Sequence, residues 1–290
     1  MNRVGFMQGR LSPQVNGKIQ AFPSEYWRDE FPAAQGLGLG LMEWTLDHDN
    51  LTNNPLMSSA GRDEICTLSH ACSVFIPSVT GDCFMQAPFW KASVFSDRER
   101  LLLEFDAVAH ASDELGIGII VVPVVDNGRI ESAEQADILR DGLLARADAL
   151  AAKSLQVAFE SDLPPHELAE WIASYPAAIF GINYDTGNSA ALGFNPQEEW
   201  SLYGSRVINV HIKDRLLGGT TVPLAEGACD FGACFQAMHG ADYEGNLILQ
   251  TARATDGDHA GAIQKHIAFL QRILNPESSD YSIDKIAIHQ

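Results

Sequence analysis

Basic residues are scarce: 19 Lys and Arg face 38 Asp and Glu, a formal charge of −19 at pH 7. A field of that sign opposes binding to DNA or to an anionic membrane unless a local basic patch overrides it, and the sequence has no such patch. Long apolar runs are missing too, none approaching the ~18 residues of a membrane span. The 5 cysteines, Cys66, Cys72, Cys83, Cys229 and Cys234, are an odd count without a CxxC pair. That argues against a disulfide frame or a zinc cluster and for reduced, mostly buried thiols. Cys229 and Cys234 share one segment, but further ligands for a metal pair are missing around them. No sequence repeat, no low-complexity segment and no GxGxxG after the first strand-like run is present.

What remains is a chain rich enough in apolar residues, 46% of the total, to bury a large core. Its 290 residues exceed the ~250 typical of one α/β barrel, a class that often outgrows the usual domain size. The opening residues 1–12 contain Arg3 and Arg10 and read as a strand rather than a signal peptide, so a cytoplasmic protein is expected.

Apolar, β-branched runs alternate with helical periodicity along the chain. Strands are expected at Val4–Gln8, Leu39–Trp44, Ser73–Val79, Gly118–Val125, Leu155–Phe159, Phe180–Tyr184, Val207–Ile212 and Asn246–Leu249. Between them, Ser96 with Glu99 reads as a capping box opening a helix to Leu115, and Ser132 with Gln135 opens another. The second has a stripe of Leu139, Leu143, Ala147 and Leu150. Pro164 and Pro165 start a helix through Trp171. Phe231–Met238 and Ala260–Leu274 are the last two. This alternation predicts a parallel α/β architecture, either a closed barrel or an open sheet. Residues 1–275 form the expected domain and 276–290, polar and broken by Pro and Ser, a tail.

In a barrel the chemistry sits where strands end. The fifth apolar run ends in Glu160, the sixth in Asp185, the seventh in His211 and the eighth in Gln250. Singly, each has a plain explanation. Asp185 in Asp-Thr-Gly-Asn has the signature of an Asx turn, and a histidine on an apolar strand is usually hydrogen-bonded in the core. Together, two carboxylates and an imidazole converging on one mouth call for a cation. Oxygen donors with one nitrogen suit Mn²⁺, Mg²⁺, Co²⁺ or Zn²⁺.

The chain resembles the xylose isomerase-like TIM-barrel superfamily of sugar and sugar-phosphate isomerases and epimerases. The motifs are Gly5-Phe6-Met7-Gln8-Gly9-Arg10-Leu11-Ser12-Pro13, Phe159-Glu160, Asp185-Thr186-Gly187-Asn188, His211-Ile212-Lys213-Asp214 and the loop Glu226–Phe231. The resemblance implies a single (β/α)8 barrel with one divalent metal ion held by Glu, Asp, His and Glu on strands five to eight. Glu160, Asp185 and His211 match, and the fourth position is Gln250. A glutamine can ligate through its carbonyl oxygen but cannot accept a proton from carbon. The family's two-base epimerisation, with glutamates on opposite faces of an enediolate, therefore lacks its second base at that position. A single carboxylate, Glu160, suffices for aldose–ketose isomerisation by abstracting a proton alpha to a carbonyl.

Arg10, Lys213 and Arg253 are the cations nearest the expected mouth, suited to a phosphate or carboxylate or else to neutralising Glu43 and Asp214. Glu43, at the end of the second strand, reads as an outer partner of the metal site or a contact for a sugar hydroxyl. Trp44, Phe84, Phe89 and Trp90 are candidates for an apolar wall or for loop packing. The expected partner is a small sugar or sugar phosphate, with homo-oligomers common in such barrels. Two rivals share the scaffold: a dehydratase, and a sugar-binding barrel without chemistry, which Gln250 favours. An endonuclease IV-like role would need many more histidines at the mouth and a less acidic chain.

Overall fold

The computed structural model describes residues 4–274, so the proposed tail at 276–290 lies outside the described residues. Eight parallel strands close into a barrel: β1 (Val4–Met7), β2 (Leu41–Thr45), β3 (Ser78–Thr80), β4 (Ile119–Val124), β5 (Gln156–Ser161), β6 (Phe180–Asp185), β7 (Val207–Ile212) and β8 (Leu247–Leu249). Helices connect them on the outside. Closure is made by β1 on β8, with Val4, Gly5 and Phe6 opposite Leu247, Ile248 and Leu249. This pairing excludes the open sheet. Gly5 makes the seam possible, because a Cβ there would lie 2.8 Å from that of Leu41 and 2.9 Å from Ile248 Cδ1.

Residues alternate between the helix layer and the barrel interior, as the strand period of two requires. On β5, Phe159 faces out and stacks with Phe180, their ring centroids 6.1 Å apart, while Trp171 and Tyr175 close the same cluster. Glu160 is on the other face. The interior of the upper barrel is polar. Ser78, Thr80, Asn183, Asn209 and Glu43 are all buried there beside His211. Among the described residues no helix is long and apolar enough to cross a membrane.

Three local expectations differ. The third strand is short, Ser78–Thr80, because Pro77 has no amide to donate to a ladder; only an isolated bridge at Phe75 precedes it. The helix expected to be capped by Ser96 starts at Phe95 after Val94, with no side-chain cap, so Ser96 lies inside its first turn. The stripe from Leu139 to Leu150 is split between two helices, Ala133–Leu144 and Ala147–Ala152. Ser132 caps the first of these, accepting from the Gln135 amide at 3.2 Å.

Candidate metal centre

Glu160 ends β5, Asp185 ends β6 and His211 lies on β7. Asp185 and His211 are direct register partners, after a shift between Ile182 and Asn183 that aligns the two strand ends. One ligand atom from each of the three lies within 4.8 Å of the others, and all three side chains are buried. Among the described residues this group has the composition and spacing to hold a metal ion. Two carboxylates, an imidazole and a nearby amide carbonyl suit a divalent ion of the hard-to-borderline kind.

Each ligand is oriented by a partner. Glu160 accepts from Asn188 Nδ2 at 2.7 Å through one oxygen and from Asn183 Nδ2 at 3.0 Å through the other. His211 Nδ1 lies 3.1 Å from Glu160 Oε2, and Nε2 lies 2.7 Å from Glu43 Oε1. Glu43 is fully buried and also accepts from Ser78 Oγ at 2.6 Å, from Asn209 Nδ2 at 2.8 Å and from Thr80 Oγ1. A carboxylate behind a histidine fixes the ring and sharpens it as a ligand. Burial opposes charge on His211, but Glu43 and Glu160 outweigh it and raise the imidazole to about 10. Burial likewise works against charge on Glu43, and His211, Ser78 and Thr80 overcome it, leaving the carboxyl below its ordinary value.

Asp185 serves two purposes with two oxygens. Oδ1 caps the helix Thr186–Leu192, accepting from the amides of Gly187 at 2.9 Å and Asn188 at 2.8 Å. Oδ2 faces the site and accepts from Lys213 Nζ at 3.0 Å. The Asx-turn reading of this residue therefore holds through Oδ1, while Oδ2 stays available to the cluster. Lys213 Nζ also donates to Gln250 Oε1 at 2.8 Å, so one ammonium joins Asp185 to Gln250.

These groups open onto a cavity of about 400 Å³ lined by Glu160, Asn188, Lys213 and Gln250 on one side. Arg10, Gln20, Asp82, Asp126 and Arg215 are among the residues that line the rest. Arg10 is buried, with Nε donating to the Thr251 carbonyl at 2.8 Å and Nη1 to that of Ile19 at 2.9 Å. Burial and then the neighbouring Arg253 lower its guanidinium to about 9. Arg253 does not line the cavity; it donates to the Ser12 carbonyl beneath the loop that carries Arg10. Nor do the four aromatics. Trp44 packs against Trp27 and Phe22, Phe84 against Phe105, and Phe89 against Trp90, whose indole donates to the Gly128 carbonyl at 3.0 Å.

Two carboxyls outside the expected set matter here. Asp82, just beyond β3, is buried at the cavity wall; burial first, then Asp47 and Glu160, push it up to about 8. Glu30 receives the amides of Gly9 and Leu11, each at 2.9 Å, and so fixes the loop that delivers Arg10. Burial raises Glu30 from its ordinary 4.5 to about 7, against the pull of those amides. Its contribution to stability is complete below pH 4.5 and is lost as pH rises through 7. Glu30→Gln removes that titration. Urea unfolding of the two proteins across this range is expected to show wild type losing up to about 3 kcal/mol relative to the variant. A difference that stays constant with pH contradicts the assignment.

The architecture has a parallel among known proteins. The family model described as xylose isomerase-like TIM barrel matches residues 31–273. The chain belongs to this family. L-ribulose-5-phosphate 3-epimerase UlaE of Shigella flexneri is 25% identical over 268 residues, which cover 88% of this chain and 93% of that protein. A xylose isomerase domain protein from Planctomyces limnophilus superposes with a TM-score of 0.72 at 15% identity, covering 95% of this chain and 98% of its own. The IOLI protein with a bound zinc atom gives 0.72 at 15% identity, over 96% and 99% of the two chains. D-psicose 3-epimerase in the presence of D-fructose gives 0.73 at 12%, over 94% and 99%. At these identities the structural likenesses are likenesses of fold.

Proposed function

We propose that this xylose isomerase-like barrel is a divalent-metal-dependent isomerase or epimerase of a sugar or sugar phosphate, acting by proton abstraction alpha to a carbonyl. The observation that carries the reading is the convergence of Glu160, Asp185 and His211 within 4.8 Å, with Glu160 itself on the wall of a substrate-sized cavity. The epimerases among its relatives support the same class. Glu160, Asp185, His211 and Gln250 would hold the ion, which supplies Lewis-acid stabilisation of the negative charge developing on the substrate oxygens.

Glu160 is the base. Asn183 and Asn188 hold both its oxygens, so the carboxylate is aimed before substrate arrives. With the proton from carbon on Glu160, reprotonation of the substrate has two possible sources. Returned by Glu160 to the neighbouring carbon, that proton gives the isomer. Asp82, raised to about 8, carries its own proton at neutral pH on the same cavity, and delivery from Asp82 gives an epimer without a carboxylate at position 250. Arg10, Lys213 and Arg215 are the cations on the wall, suited to an anionic substituent such as a phosphate.

The test is a calorimetric titration of purified protein with Mn²⁺, Co²⁺, Mg²⁺ and Zn²⁺, wild type beside His211→Ala. One binding event per wild-type chain that disappears in the variant supports the metal centre. Absence of binding by any of the four ions overturns it and favours the sugar-binding barrel. Mass loss of one water in a reacting sugar would instead identify the dehydratase.

A further inference from the structure

Resting on the metal reading just given, we infer that Lys213 is a built-in competitor for the metal centre, a tethered cation that an entering ion must displace from Asp185 and Gln250. The ammonium donates to Asp185 Oδ2 at 3.0 Å and to Gln250 Oε1 at 2.8 Å, two of the four oxygen and nitrogen donors that the ion would use. Lys213 is mostly buried, so these bonds are not screened as a surface pair would be. Lone-pair capacity at Asp185 is already committed elsewhere, since Oδ1 accepts two helix amides. Its remaining oxygen, like Gln250 Oε1, would have to hold the ammonium and the metal side by side, and their like charges repel in this buried site.

The seat of the lysine is shaped for it. Gly187 follows the cap, and a Cβ there would lie 2.7 Å from Lys213 Cγ, 2.9 Å from Cβ and 3.0 Å from Cδ. The absence of a side chain lets the aliphatic stem lie over the first helical turn and carry Nζ to the two oxygens. Thr186 Oγ1 ties down the same residue, receiving the Lys213 amide at 3.0 Å. Gln250 completes the arrangement. It offers the ammonium a neutral carbonyl, so the charge of Lys213 is balanced by Asp185 alone. The consequence is a centre whose affinity for metal is set by its own lysine. Upon displacement the ammonium is left on the cavity wall with Arg10 and Arg215.

The experiment compares the dissociation constant for Mn²⁺ in wild type, Lys213→Met and Arg215→Met by calorimetric titration, with thermal unfolding and circular dichroism as checks on folding. Arg215 supplies an equal charge on the same cavity but bonds to Asn188 Oδ1, at 2.9 Å, and to the Gly219 carbonyl instead of to Asp185 or Gln250. Lys213→Met is expected to bind Mn²⁺ at least tenfold more tightly than wild type, and Arg215→Met less than threefold. Mn²⁺ binding by Lys213→Met with none in wild type would show a lysine that excludes the ion outright, and would overturn the metal-dependent reading of the wild-type protein. Equal tightening in the two variants would reduce the effect to the general field and overturn the displacement, as would unchanged or weaker binding in Lys213→Met. Those results leave the metal centre itself standing. No Mn²⁺ binding in wild type or in Lys213→Met overturns both. If Lys213→Met does not fold, Lys213→Gln, which keeps a donor for Asp185 but no charge, carries the same expectation.

Discussion

Glu160→Gln is expected to lower turnover by 10²- to 10⁴-fold while leaving the barrel folded. The amide is nearly the same size as the carboxylate and keeps a carbonyl oxygen, so one of the contacts to Asn183 and Asn188 survives. The other becomes a meeting of two N–H donors, a modest loss in a buried site. What the variant cannot do is take a proton from carbon. The assay is deuterium uptake from solvent at the carbon alpha to the carbonyl, across a panel of pentulose and hexulose phosphates that includes L-ribulose 5-phosphate. Uptake by the variant within tenfold of wild type on a substrate that wild type turns over would remove Glu160 from its role. Asp82 and Asp126 would then be the remaining carboxyls on the cavity.

The parts of this site that were legible in the sequence are those that end a strand. Glu160, Asp185 and His211 each interrupt an apolar run, and a barrel brings such interruptions to one rim. The residues behind them were harder to see. Asn183 and Asn209 sit two positions before Asp185 and His211, and Ser78 and Thr80 are two apart on β3. That period of two inside otherwise apolar strands is a readable signal of a polar column facing the barrel interior. Glu43 was recognised as a strand end, but its bonds span 168 positions to His211 and 166 to Asn209, which no local pattern encodes. Asp82 was hidden by a third strand taken to finish at Val79, when Pro77 delays that strand so that it ends at Thr80, two residues before the carboxyl. Arg215 and Arg253 both follow closely on a strand end, Ile212 and Leu249. Only loop geometry decides that Arg215 lines the cavity while Arg253 braces the chain below it.

Glu43→Ala is expected to be the most destabilising single change in the site. Four side-chain donors converge on this fully buried carboxylate, from Ser78, Thr80, Asn209 and His211. Alanine leaves them facing a dry void, and the His211 imidazolium, raised to about 10 chiefly through Glu43 against the effect of burial, loses its main counter-charge. Breaking one partner out of a buried pair costs about 3–5 kcal/mol. For a domain of this size that corresponds to a fall in Tm of roughly 6–20 °C. The same loss should weaken metal binding by about 10- to 100-fold, because the histidine is no longer held to its orientation. Glu43→Gln separates the two effects. Its carbonyl still accepts from two donors, so much of the stability returns, yet it lacks the charge that sharpens His211 as a ligand. Scanning calorimetry and Mn²⁺ titration on the same three proteins read both quantities. A Tm for Glu43→Ala within 2 °C of wild type would mean that the four donors find other partners, and that the polar column does not hold the upper barrel together.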